Sequence, residues 1–219
     1  MRILFLLVLL LPACQPSAPP ERSILALGDS IMAWNGRQGI PEALSRALDR
    51  PVVDASRSGA RLSTDSVLAR ALGFDITRQV REGPWDWIVL TAGGNDLRGN
   101  CEQAGTAALR DAQIGPDLTG TLPTFLAQLR ASGSKVAFLG YYDLLESEPA
   151  PCEPEFDIIN ARMAQLAATD PGLIFLDAAD VIDRTDRGLY ARDLLHPSPR
   201  GSAVIGAALA RAILAAEGA

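Results

Sequence analysis

Five short apolar runs recur along this chain, separated by segments with helical spacing. The runs occupy residues 23–28, 51–54, 87–91, 135–140 and 173–177, and each closes on a glycine or a polar residue. None alternates apolar with polar residues, so the pattern is that of strands covered on both faces. The helical segments lie around residues 39–49, 63–82, 119–132, 155–169 and 199–216, the last one opened by Pro199 and Gly201 and rich in alanine. Such alternation implies a parallel sheet with helices on both sides. With 219 residues, 48% of them hydrophobic, the chain can bury one sizeable core, and it shows neither an internal repeat nor a second domain. Ligands of such a sheet bind at the carboxyl ends of its strands, so the polar chemistry is expected there.

Charge and residue usage exclude several functions. The formal net charge is −6, Lys135 is the only lysine, and no basic run occurs, which argues against a nucleic-acid partner. A single histidine, His196, and three scattered cysteines do not make up a zinc set. No G-x-x-x-x-G precedes Lys135, so there is no phosphate-binding loop, and no cofactor is expected. A G-x-S-x-G elbow is also absent.

Four polar segments do fall at strand ends. Gly28-Asp29-Ser30 follows the first run and places a serine at the start of a helix, near unpaired backbone N–H groups. Taken alone, this tripeptide reads equally as a helix cap. Asp54 to Gly59 follows the second run and ends in a glycine that lets backbone approach a ligand. Gly93-Gly94-Asn95-Asp96 follows the third and offers a neutral amide donor, although such residues also make ordinary turns. Asp193-Leu194-Leu195-His196 stands before the last helix, at a spacing that lets the carboxylate reach one imidazole nitrogen.

In order and position these segments resemble the blocks of the SGNH (GDSL-type) hydrolase family, from about residue 24 to residue 209. The resemblance implies a single α/β domain of three layers, α/β/α and flavodoxin-like, with a parallel sheet of about five strands. It implies Ser30 as nucleophile, His196 as base and Asp193 as its orienting partner. The oxyanion hole would come from the Ser30 and Gly59 N–H groups and the Asn95 amide. Asp54 stands where the family often has asparagine. The implied reaction is ester hydrolysis through an acyl-enzyme, on small acyl esters, thioesters, lysophospholipids or O-acetyl glycans. The same residues would serve an acyltransferase, and a non-catalytic envelope protein on the same scaffold is a further reading. Trp34 and Met32 either line the acyl pocket or pack as core. Tyr141 and Tyr142 leave the fourth strand toward the substrate rim, Trp85 and Trp87 read as core, and Asp29 and Asp96 as loop braces.

Ahead of the first strand, Arg2 precedes nine apolar residues, 3–11, too few for the ~20 of a membrane span. With Leu11-Pro12-Ala13-Cys14 they resemble a bacterial lipoprotein signal. Residues 1–13 would then be a removed leader, Cys14 the lipidated residue, 14–22 a tether and 23–219 the hydrolase domain. Gln15, rather than aspartate, points to the outer membrane facing the periplasm. Export would place Cys101 and Cys152 in an oxidising compartment. Consecutive strands are usually neighbours, so their two loops should emerge side by side. A Cys101–Cys152 disulfide is therefore expected, with Cα atoms ~4.4–6.8 Å apart.

Overall fold

The computed structural model describes residues 22–145, 147, 148 and 150–218. The leader, Cys14 and nearly all of the tether lie outside these residues. Five parallel strands, β1 (Ile24–Leu27), β2 (Val52–Asp54), β3 (Trp87–Leu90), β4 (Lys135–Leu139) and β5 (Leu173–Leu176), form one sheet in the order β2-β1-β3-β4-β5. All five fall within the expected runs. The helices are α1 (Ser30–Ala33), α2 (Ile40–Leu48), α3 (Val67–Ala71), α4 (Gly94–Leu97), α5 (Thr106–Gln113), α6 (Thr121–Ala131), α7 (Glu153–Ala167) and α8 (Pro199–Gly218).

Alternate residues of each central strand enter different cores, which explains the unbroken apolar runs. Ile24, Ala26, Trp87, Val89, Ala137 and Leu139 face Ile40 and Leu44 of α2 and Ile205, Leu209 and Ile213 of α8. Leu25, Leu27, Ile88, Leu90, Val136 and Phe138 face Leu122, Phe125, Leu126 and Leu129 of α6 and Ile159 and Met163 of α7. The result is the expected three-layer α/β/α sandwich. Among the described residues α8 alone has the length and hydropathy of a membrane span, yet its buried stripe packs on α2 and the sheet.

The helix expected over 63–82 is not formed. Only α3 and a 3-10 turn at Ile76–Arg78 are helical. Gly73, at φ +79°, stops α3, and Arg61 then captures the returning chain: its N–H donates to the Phe74 carbonyl and its carbonyl accepts from the Ile76 N–H. Val67 and Leu68 are consequently 78% and 68% exposed, so no core draws the apolar stripe into a longer helix. Conversely, α5 was not foreseen, because its sequence, TAALRDAQ, is short and only half apolar.

Candidate active site

The site begins where β1 turns into α1. Gly28 sits at φ +145°, and a Cβ there would lie 2.7 Å from the Thr91 carbonyl oxygen, so the close passage of β1 against β3 requires glycine. Its N–H donates to Gln79 Oε1 at 2.8 Å and its carbonyl accepts from Gln79 Nε2 at 3.0 Å. Asp29 then caps α1 by accepting the Ile31 N–H at 2.9 Å. Ser30 is the first helical residue, and its N–H has no intrahelical acceptor.

Asn95, in α4 beyond β3, donates one amide hydrogen to the Ala60 carbonyl at 2.8 Å, which leaves its second hydrogen for another acceptor. This bond ties the Asn95 amide to the residue after Gly59. Gly59 has room for a side chain, the nearest atom to a Cβ being Phe74 at 3.7 Å, but its φ of +82° favours glycine. Asp96 secures the same loop by accepting the Leu62 N–H at 2.8 Å.

His196 arrives on the loop before α8. Asp193 Oδ1 accepts the N–H groups of Leu195 and His196 at 3.2 and 3.0 Å, and this turn holds Leu194 at φ +60°. Asp193 Oδ2 lies 2.6 Å from His196 Nδ1. An ionised carboxylate only accepts, so Nδ1 carries a proton, and in the neutral imidazole Nε2 presents a lone pair. Nε2 is buried and has no hydrogen-bond partner among the described residues. Trp34 stacks on the imidazole, with ring centroids 3.8 Å apart and planes 9° apart. Tyr142 donates to the Leu195 carbonyl at 2.8 Å, and Asn35 Nδ2 to the Pro197 carbonyl at 2.8 Å.

Ser30, Asn95 and His196 share the wall of one cavity of about 140 Å³, to which Tyr141, Tyr142 and Phe156 also contribute. Behind that wall the Tyr141 hydroxyl donates to Asp29 Oδ2 at 2.5 Å and accepts the Gly94 N–H at 2.8 Å, joining the serine loop to the Asn95 loop. Burial pushes the Asp29 carboxyl up to about 6, against the opposing hydrogen bonds from Tyr141 and Ile31. Burial likewise carries Asp96 up to about 6, against the Leu62 N–H and Arg61. Burial alone would raise Asp193 too, but the bonds from the His196 ring and the two N–H groups hold it below its ordinary value.

The structure therefore gathers Ser30, Asn95 and His196, sets Asp193 behind His196, and places Gly59 next to the acceptor of Asn95. Of the two readings for Trp34, packing fits the structure: its indole stacks on the His196 imidazole and is not among the residues lining this cavity. Sequence reasoning missed Gln79, Asn35 and Phe156. Only Asn35, followed by glycine and held at φ +68°, carried a local signal, that of a turn. Cys101 and Cys152 form the expected disulfide, with Cα atoms 5.2 Å apart.

Residues 26–204 match the GDSL-like lipase/acylhydrolase family. Comparison with curated proteins gives no match. The fold is similar to a carbohydrate esterase family 2 enzyme with a carbohydrate-binding domain from Corynascus thermopiles, at 20% identity and a TM-score of 0.64, covering 94% of this chain and 69% of that one. It is also similar to the lipase Lip_vut3 from a goat rumen metagenome, at 21% identity and 0.61, over 89% and 96% of the two chains. A member of the lipolytic G-D-S-L family from Veillonella parvula aligns at 16% identity and 0.62, over 88% and 98%. At these identities the likeness is one of fold, whereas the family match spans most of the sequence: the chain belongs to the GDSL-like lipase/acylhydrolase family.

Proposed function

We propose that the protein is a serine ester hydrolase with Ser30 as nucleophile, His196 as general base and Asp193 as the group that fixes the imidazole tautomer. The observation that carries this reading is the buried, unpartnered His196 Nε2 on the cavity wall that also holds Ser30, with Nδ1 committed to Asp193 at 2.6 Å. A buried polar atom without a partner costs free energy, and such atoms are kept where function uses them. Nε2 takes the proton as Ser30 Oγ bonds to the ester carbonyl carbon. The resulting oxyanion is held by the Ser30 and Gly59 N–H groups and the free Asn95 hydrogen. One such donor in a known hydrolase is worth about 3 kcal/mol. Collapse expels the alcohol, which leaves with the proton from His196. Water then attacks the acyl-enzyme, His196 takes its proton, and Ser30 recovers that proton as the acid departs.

The test is turnover of p-nitrophenyl esters. Ser30→Ala and His196→Ala should each lower kcat by roughly three orders of magnitude, and the double variant should be little worse than either. Substantial activity in His196→Ala would sink the mechanism. The reading extends to the amino terminus, where Cys14 is the lipid-bearing residue of an exported, membrane-tethered protein. Cys14→Ser should then move the protein from the membrane fraction to the soluble one.

A further inference from the structure

Two walls of different origin flank the space beside Ser30. One comes from α4 and the residue after it, with Asn95 and Arg98; the other comes from the segment beyond β4 and the start of α7, with Tyr142, Pro151, Cys152 and Phe156. Cys152 of the second wall is bonded to Cys101, three residues past Arg98. The bridge thus staples the two walls together. The charged groups that border the space are engaged elsewhere or open to solvent. Glu153 accepts from the Leu144 N–H at 2.9 Å and from Arg184 at 3.3 Å, Asp29 is taken by Ile31 and Tyr141, and Arg98 is exposed. Apart from Ser30, Asn95 and His196 themselves, the lining is apolar in character. A hydroxyl-bearing acyl group entering it would leave its own polar atoms unpaired, which a hydrocarbon chain would not.

We propose that this cavity is the acyl subsite, that it selects linear apolar acyl groups of about four to eight carbons, and that the Cys101–Cys152 bridge sets its width. The inference rests on the ester-hydrolase reading above. Its size argument is physical: an enclosed apolar cavity of ~150 Å³ holds a six-carbon guest, and this pocket, open to solvent on one side, measures about 140 Å³, so a chain of that order fills it. The acyl chain is the part of an ester that stays attached to Ser30 after the alcohol departs. Each methylene removed from water contributes ~0.8 kcal/mol, equivalent to about fourfold in kcat/KM.

The experiment is kcat/KM for p-nitrophenyl acetate, butyrate, hexanoate, octanoate and dodecanoate below their aggregation limits, with Ser30→Ala as control. Values should rise about fourfold per methylene from acetate to hexanoate and fall at dodecanoate. Phe156→Ala, or Phe156→Leu if the first does not fold, should raise the dodecanoate-to-hexanoate ratio at least tenfold. The double variant Cys101→Ser/Cys152→Ser should lower the hexanoate-to-acetate ratio at least fivefold. Ser30-dependent turnover that is flat or falling from acetate onward, or that still rises at dodecanoate, overturns the subsite and leaves the hydrolase standing. An unchanged ratio in the double cysteine variant overturns the role of the bridge. Absence of Ser30-dependent turnover on every ester overturns both readings.

Discussion

The Tyr141 hydroxyl bonds to both the serine loop and the Asn95 loop. Removing it in Tyr141→Phe would leave the buried Asp29 Oδ2 and the Gly94 N–H without their partner, a loss of about 1–3 kcal/mol. Because Gly94 precedes Asn95, kcat should fall more than KM rises, and thermal denaturation with steady-state kinetics on one ester reads both. Asp29 carries a second prediction. Its folded value of about 6 stands above its ordinary 3.8, so the fold holds the proton more tightly than the unfolded chain. That contribution is fully present below about 3.8 and is lost as pH rises to about 6, by at most about 3 kcal/mol. Asp29→Asn keeps one acceptor, for the Ile31 N–H, turns an amide NH2 toward the Tyr141 hydroxyl in place of Oδ2, and cannot titrate. Its Tm should therefore decline less than that of the wild type over this interval. Parallel Tm–pH curves would contradict the assignment.

At the level of elements, the site is built from strand-end loops that do not hold one another through the sheet alone. Gln79 clamps the β1 loop, Asn95 and Asp96 tie the β3 loop to the Ala60–Leu62 segment, and the disulfide joins the loop after α4 to the start of α7. The bridge closes a loop with a sequence separation of 51, for which chain entropy alone predicts about 4 kcal/mol. Cys101→Ser/Cys152→Ser should lower stability by about 2–4 kcal/mol in denaturant titration, with KM for an ester rising more than kcat falls, since Ser30, Asp193 and His196 all lie outside the bridged loop. A kcat collapse at unchanged stability would place the bridge in the chemistry instead.

Across the whole molecule, the segment after α2 and the end of α8 are locked at the end of the sheet opposite the site. Arg50 donates both Nη groups to Glu217, at 2.6 and 2.5 Å, and Trp87 Nε1 donates to the same carboxylate at 3.0 Å. The Arg50 guanidinium, with Trp87, draws the Glu217 carboxyl from 4.5 down to about 2. This stabilisation is present above about 4.5 and is lost as pH falls toward 2, the opposite slope to that of Asp29. Glu217→Gln should cost about 2–3 kcal/mol at neutral pH and far less near pH 2–3, with kcat/KM unaffected. An equal loss at both pH values would mean that packing, not charge, holds the two helices.

The amino-acid sequence by itself determined the sheet and the polar blocks at its strand ends. Runs such as Trp87–Leu90 are apolar throughout because both faces are covered, and that pattern is local. Ser30, Asn95, Asp193 and His196 were legible because the short blocks that hold them, ambiguous one by one, together resemble those of one family. The partners of those blocks were not legible. Tyr141 reaches Asp29 across 112 residues and Gln79 reaches Gly28 across 51, and Trp34 and His196, stacked at 3.8 Å, stand at opposite ends of the domain's sequence. The 63–82 segment failed for the same reason. Its apolar spacing is helical, but a helix persists in water only when a core takes its apolar face, and Gly73 and Arg61 turn the chain away before one does. Periodicity and spacing record what a residue needs from its neighbours in the chain. Which distant side chain meets that need is decided only when the parallel sheet brings the strand-end loops to one edge.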